Sequence, residues 1–483
     1  MTAATTLPRL IQGGMGVGVS NWRLARAVAS RGNLGVVSGT VIDTLLVRRL
    51  QDGDPEGHMR RAISRFPIPA VAEEVIRRFF VDGGINRQTP YALLPLWRQH
   101  VTAFREQVAM VAAFVEVTLA KEGHSGPVGM NLLTKVQMPN MSTLYGAMLA
   151  GVNVVLMGAG IPKEIPGILD ALSQHQAVEM RFDVENLPAG RTESLKFDPH
   201  RHWAPTQPLE RPQFLPIISA NSLAATLARK SSGRVDGFVV EGPTAGGHNA
   251  PPRGEMRLNE RSEPIYGERD VVDLAKMRDL GLPFWLAGGA GSRVALDRAL
   301  AEGAAGVQVG TLFAFCDESG IDAELKARIL AAVNSGDVEV ITDALASPTD
   351  YPFKVLHMAD DPDDARRQKR SRICDLGYLR TAVVASDGTL DYRCAAEPVD
   401  QFVAKGGTEE QTRNRRCLCN GLLANLGHGQ RREDGGDEPP LITSGSELTN
   451  LRELLAGRTS YSAADVIEWI TNGVPSEVTA AEG

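Results

Sequence analysis

The chain has 483 residues, 43% of them hydrophobic and 23% charged, enough for one large core or two modest ones. A formal net charge of -7 without aromatic-interleaved basic stretches argues against a general affinity for nucleic acid or anionic membranes. The N-terminal MTAATTLPRLIQGG has neither a basic leader nor an apolar run of signal length, and no stretch approaches the ~20 apolar residues of a membrane span. The expectation is a cytoplasmic protein. Five cysteines do not make a secreted disulfide scaffold, but four of them fall between positions 374 and 419.

In chain order, short apolar runs ending in glycine or a small polar residue lead repeatedly into helical patterns. RLIQGG at 9–14 reads as the first strand, followed by a helix capped by Ser20 or Asn21 with Leu24 and Val28 on one face. LGVVSG at 34–39 is the second. An excursion over 41–125 carries helical patterns near 70–80 and 101–120. VGMNLL at 128–133 and VNVVLMG at 152–158 give the third and fourth strands, with helices over 140–151 and 163–173. A polar, proline-rich stretch at 181–211 breaks the rhythm and reads as an insertion or surface loop; with 41–125 it is a candidate lid. FLPIIS at 214–219 is the fifth strand, with a helix over 222–230 after it, and the VVEGPTAGGH run at 239–248 holds the sixth. PFWLAGG at 283–289 and GVQVGT at 306–311 are the seventh and eighth, with a helix over 293–302 between them.

Eight apolar strands alternating with helices predict an α/β fold, a (β/α)8 TIM barrel over 1–347. An open doubly wound sheet fits less well, because no GxGxxG opens a helix after the first strand. Chemistry in a barrel sits on the loops that follow the strands. Those loops are Gln12-Gly13-Gly14-Met15, Ser38-Gly39, Asn131, Gly158-Ala159-Gly160, Ser219, Gly246-Gly247-His248, Gly288-Gly289 and Gln308-Val309-Gly310-Thr311. Their small residues shape a surface for a broad planar ligand, and the Gly246-Gly247 pair lets backbone approach it closely. The last two loops lie where such barrels bind phosphate through free backbone N–H groups. A planar cofactor bearing phosphate meets both demands, and FMN is one. A neutral imidazole at His248, the one histidine on these rims, can take a proton from carbon beside an electron-withdrawing group.

The segments IQGGMGVGVSNWRLARAVASRGNLGVVSG, GMNLL, VVEGPTAGGH and LAGGAGSRVALDRALAEGAAGVQVGTLF, with the following ESG, resemble the nitronate monooxygenase superfamily. That superfamily includes flavin-dependent enoyl-acyl-carrier-protein reductases and an acyl dehydrogenase/isomerase branch. The resemblance runs over roughly 7–319. It implies an FMN barrel without tightly bound nicotinamide, phosphate on Gly288, Gly289, Gly310 and Thr311, the flavin ring near Gly13, Gly14, Met15 and Asn131, and His248 as base or acid. It also implies an oxidoreductase whose substrate is a small nitronate, with oxygen as acceptor, or an acyl thioester, carried in some members on acyl carrier protein. A homodimer is compatible with the sequence.

Beyond position 347 the rhythm stops. The run DDPDDARRQKRSR reads as a solvated helix face or linker, and a cysteine-rich extension over 348–440 holds Cys374, Cys394, Cys417 and Cys419. Four cysteines gathered in a chain otherwise poor in them suggest thiolate ligation, but the spacing lacks paired CxxC knuckles and fits a zinc ribbon poorly. A [4Fe-4S] cluster tolerates scattered ligands, and Arg413, Arg415 and Arg416 would offset its charge. The dehydrogenase/isomerase branch, which the arrangement resembles, carries such a cluster after its barrel; zinc and unliganded thiols stay open as alternatives. Cys316 stands apart and reads as packed in the barrel. The closing segment, 441–483, holds an amphipathic helix over 463–471 capped by Ser462, expected to dock on the barrel, and a frayed last dozen residues.

Overall fold

In the computed structural model, residues 7–432 and 437–473 are described. The final ten residues, most of the stretch expected to fray, lie outside them.

Eight parallel strands form one sheet: β1 (Leu10–Gln12), β2 (Gly35–Ser38), β3 (Val128–Leu133), β4 (Val154–Gly158), β5 (Gln213–Ile218), β6 (Phe238–Glu241), β7 (Phe284–Ala287) and β8 (Gly306–Val309). Each pairs with its sequence neighbour, and β8 pairs back onto β1 with Leu10 opposite Val307. The ring is completed where Ile11 meets Leu34 and the Gln12 amide donates to Leu34 O at 3.0 Å. This is the expected (β/α)8 barrel. Its interior is filled by Ile11, Val36, Val154, Leu156, Leu215, Val239 and Trp285, so the strands read as unrelieved apolar runs because both their faces are covered.

The helices also stand where the periodicity puts them. Asn21 caps Trp22–Ala29 by accepting from the Leu24 amide at 2.9 Å, and Leu24 and Val28 are buried beneath it. Pro69–Phe79, Ala103–Ala120, Gln137–Leu149, Ile165–Ser173, Asn221–Lys230 and Arg293–Ala301 match their predicted positions. The excursion holds two further helices, Ile42–Gln51 and His58–Ile63.

The stretch expected to be a surface loop at 181–211 is different. Val178–Phe182 and Glu193–Phe197 pair as an antiparallel hairpin, burying Met180, Phe182, Leu195 and Phe197. The alternation VEMRF carries that pattern, but flanking charge and proline hide it. Val184–Glu185 beside it pairs in parallel with Thr381–Val384 of the cysteine-rich extension. That extension is tied to the barrel again by a buried polar knot: Tyr378 OH donates to Asp43 Oδ1 at 2.5 Å, and Arg105 Nη1 donates to Asp43 Oδ2 at 2.6 Å. The charged run forms the helix Asp364–Lys369. The helix Ala463–Asn472, capped by Ser462, docks as expected, with Trp469 Nε1 donating to Gly291 O at 3.0 Å.

Candidate active site

One cavity of ≈ 400 Å³ opens at the C-terminal ends of the strands. Gly13, Gly14, Met15, Asn131, Gly246, Gly247, His248, Gly288, Gly289, Gln308, Gly310 and Thr311 all line it, so the structure gathers every barrel residue expected to bind cofactor or move a proton; of the other rim residues read from the sequence, Gln12, Ser38 and Gly39 do not line it. Of the two candidate lids, 41–125 contributes only Val41, its first residue, and 181–211 contributes no lining residue among those described. Beyond the barrel the cavity is lined by Tyr378, Leu418 and Cys419 of the extension and by the run Thr443, Ser444, Gly445 of the closing segment.

The floor is backbone. A Cβ on Gly14 would stand 2.1 Å from Asn131 Cβ, and Asn131 Nδ2 donates to Gly14 O at 3.1 Å, so the amide of Asn131 pins this turn. Gly288 and Gly289 have φ of +90° and +66°, the left-handed region that favours glycine. Thr311 Oγ1 accepts from the Gly445 amide at 2.9 Å, leaving its own hydrogen free to donate. Four buried polar atoms on described residues lining the cavity lack partners in the structure: Gln308 Oε1, Asn249 Oδ1, Asn425 Oδ1 and Ser444 Oγ. A buried polar atom without a partner costs about 1–3 kcal/mol, so these are groups a polar ligand would satisfy.

His248 is held by the chain just beyond the barrel. It pairs with Phe353 as an antiparallel bridge, the Lys354 amide donates to Gly247 O at 2.9 Å, and the Asn249 amide donates to Pro352 O at 2.9 Å. Its Nε2 lies 2.7 Å from Ser347 Oγ, and the Phe353 ring packs on its edge at 4.8 Å between centroids. Burial, reinforced by the positive charge of Lys135, lowers its pKa to about 4, so the imidazole is neutral at physiological pH. Glu241, at the end of β6, also lines the cavity; burial raises its pKa to about 8 against the pull of Lys354, and it carries a proton at pH 7.

The four clustered cysteines line a second, smaller cavity together with Pro348 and Asn420. Burial raises all four thiols, Cys374 to about 11 and Cys417 to about 12, with Cys394 and Cys419 well above their ordinary value. Neighbouring thiols add to the rise at Cys394 and Cys419, which places these side chains within one another's electrostatic reach. Among the described residues no three His, Cys, Asp or Glu side chains are spaced to hold a single metal ion. Cys419 and Leu418 line both cavities, so the two share a wall. The cations felt by the thiols are Arg380 at Cys374 and Arg370 at Cys417. Of those expected from the sequence, Arg413 pairs with Glu410 at the surface and Arg415 turns to Ser347 O and Asp350. Cys316 is buried in the core, its thiol donating to Phe313 O at 3.2 Å.

The nitronate monooxygenase family model matches residues 193–349, which span β5 to β8 and the His248 loop. Over that stretch, about a third of the chain, the sequence is similar to the nitronate monooxygenase family. No curated protein sequence matches the chain. Solved structures resemble it at low identity. FabK from Thermotoga maritima is 16% identical with a TM-score of 0.45, covering 97% of this chain and 93% of that one. Nitroalkane oxidase from Streptomyces ansochromogenes is 14% identical with a TM-score of 0.43, covering 96% and 95%. The enoyl reductase domain of MlnA from Bacillus amyloliquefaciens is 13% identical with a TM-score of 0.48, covering 97% and 95%. The likeness to these three is coarse, and the functional assignment rests on the family match and the cavity.

Sequence reading missed Glu241 as a proton carrier, Asn249, Ser347 and the 443–447 run. Glu241 stood inside a quoted motif, but only burial gives it a role. The run TSGSE has a glycine between hydroxyls, a weak signal without knowing that it returns to the barrel mouth.

Proposed function

We propose that the chain is an FMN-dependent oxidoreductase of nitronate monooxygenase type, with His248 as the proton-moving residue. The observation that carries this is a neutral imidazole in a cavity whose floor is glycine backbone and whose unpartnered polar atoms await a ligand. In this reading Gly13, Gly14, Met15 and Asn131 face the flavin ring, with Gly246 and Gly247 close to it, and Gly288, Gly289, Gln308, Gly310 and Thr311 hold the ribityl phosphate end. When bound, FMN supplies the two-electron chemistry. His248 accepts the proton from carbon beside a nitro group, the Phe353 and Tyr351 rings keep water from its edge, and Glu241 stays protonated as a donor on the cavity wall.

A second reading, an acyl thioester as substrate with reductase or dehydrogenase/isomerase chemistry, draws on the apolar lining residues Val17, Val19, Val41, Ile321, Leu418 and Leu422. They would accept a hydrocarbon chain, and an acyl carrier protein as its bearer belongs to this reading. We further propose that Cys374, Cys394, Cys417 and Cys419 hold a [4Fe-4S] cluster. A single zinc with bonds of ~2.3 Å needs its sulfurs within roughly 4 Å of one another, whereas a cluster sits between sulfurs set further apart. Four thiols around one cavity, two buried and two half-buried and none in a disulfide, support the cluster and a reducing, cytoplasmic setting. The domain reading is a barrel over 1–347, a cysteine-rich extension over 348–440 and a closing segment over 441–483. Among the described residues no helix is long and apolar enough to cross a membrane.

The test is anaerobic mixing of the purified holoprotein with propyl-2-nitronate and, separately, with saturated and enoyl acyl thioesters, followed by flavin absorbance. Bleaching by the nitronate alone supports the first reading, and bleaching by the saturated thioester supports the second. Colourless protein that releases no FMN on denaturation overturns both.

A further inference from the structure

Among the described residues the His248 ring makes one hydrogen bond, joining Nε2 to Ser347 Oγ at 2.7 Å. Ser347 is fully buried, and its hydroxyl has two other neighbours: Thr349 Oγ1 at 2.7 Å and the Thr349 amide, which donates to it at 3.2 Å. A hydroxyl has one hydrogen and two acceptor lone pairs. The amide can only donate, so it takes one lone pair. The other lone pair and the hydrogen are divided between His248 and Thr349.

Two arrangements satisfy that count. If the Ser347 hydrogen goes to Thr349 Oγ1, His248 Nε2–H donates to Ser347 and Nδ1 is bare. If it goes to Nε2, Nδ1 must carry the ring hydrogen and the imidazole presents no basic nitrogen to the cavity. The first also uses the neutral form that a histidine side chain prefers intrinsically, with hydrogen on Nε2. We propose that Ser347, backed by Thr349, is the positioning residue of this site: it holds His248 as the Nε2–H tautomer and leaves Nδ1 as the nitrogen that moves the proton. Ser347 is itself fixed from outside the barrel. Arg415 Nη1 donates to Ser347 O, the Arg416 amide donates to Ala346 O at 2.9 Å, and Pro348 lines the cysteine cavity. The cysteine-rich extension thereby sets the tautomer of the catalytic base. The inference deepens the reading of His248 as a base and rests on it.

The experiment is ¹⁵N NMR of the full-length protein labelled at histidine, at pH 7, with His248→Ala to assign the resonances. Wild type is expected to show His248 protonated at Nε2 and bare at Nδ1. Ser347→Ala is expected to give a mixture of both tautomers. Its kcat on 2-nitropropane, which must lose its C2 proton, should fall roughly 10- to 10³-fold, less than the ~10⁴ lost when a triad histidine takes the wrong tautomer, with KM within about twofold. Ser347→Thr should restore both. Thr349→Val takes away the acceptor of the Ser347 hydrogen and should move His248 toward the Nδ1–H form, an arm that stands if Ser347→Ala does not fold. A wild-type spectrum with hydrogen on Nδ1, or an unchanged tautomer in Ser347→Ala, overturns the proposal. If wild type turns over no nitroalkane, the functional reading fails while the spectrum still decides the tautomer.

Discussion

Glu447 places both carboxylate oxygens 3.2 Å from the point where a Cβ on Gly289 would stand. An anion thus overlooks the loop proposed to receive the FMN phosphate. Glu447 is exposed, so the repulsion is screened and its removal is worth ~1 kcal/mol or less. Glu447→Gln is expected to tighten FMN binding about two- to fivefold, measured by flavin fluorescence quenching. An unchanged or weaker affinity places the phosphate elsewhere.

The depressed His248 pKa sets a pH window. An unperturbed imidazole loses its basic form below about pH 6.5. With its pKa at about 4, His248 stays neutral down to that region, so kcat should hold level from pH 7 to about 5 and fall only below that. Glu241 works in the opposite sense: it is protonated below about 8 and becomes anionic as pH rises through that value. An alkaline fall near pH 8 that disappears in Glu241→Gln, with activity at pH 7 within a few-fold of wild type, is the expected pattern. A Glu241→Gln enzyme dead at pH 7 would show that the anion is required.

Gly14→Ala inserts a methyl group 2.1 Å from Asn131 Cβ. Overpacking of this kind typically costs 1–3 kcal/mol. Thermal denaturation of the apoprotein should show that loss, and FMN content should drop with it because the turn moves off the flavin ring. Retention of both stability and flavin would mean that this backbone is not closely packed on cofactor.

The cysteine centre has an analytical signature. About four iron and four acid-labile sulfide per chain are expected under the proposed cluster, and Cys417→Ser should remove most of both, since Cys417 is buried and lines one cavity with the other three cysteines. Zinc at one per chain, or no metal in protein purified anaerobically, contradicts the cluster.

Much of this molecule was legible in its residues, for a physical reason. The barrel strands are buried on both faces, so Phe238, Val239 and Val240 have to be apolar in succession, and at the cavity Gly288 and Gly289 take the left-handed turn while Gly13 and Gly14 mark where backbone packs closely on its neighbours. What stayed hidden depends on distance in the chain. Ser347 reaches His248 across 99 positions, and Gly445 reaches Thr311 across 134; nothing local at either end announces the partner. The hairpin Val178–Phe182 with Glu193–Phe197 was obscured because its exposed face is charged, so its composition resembles a loop while its alternation does not. The arginines near the cysteines were misjudged for another reason: Arg413 and Cys417 are at least as near in sequence as Arg380 and Cys374, yet Arg413 pairs with Glu410 at the surface while Arg380 acts on its thiol, so closeness in sequence does not tell them apart.

The most direct measurement is single-turnover flavin reduction in anaerobic holoenzyme, comparing wild type with His248→Ala at equal FMN occupancy, using a nitroalkane that must lose a proton from carbon. Loss of a positioned base should slow reduction by ~10²–10⁴-fold while the bound flavin spectrum is preserved. Reduction at the wild-type rate in His248→Ala would contradict the assignment of the proton transfer to His248.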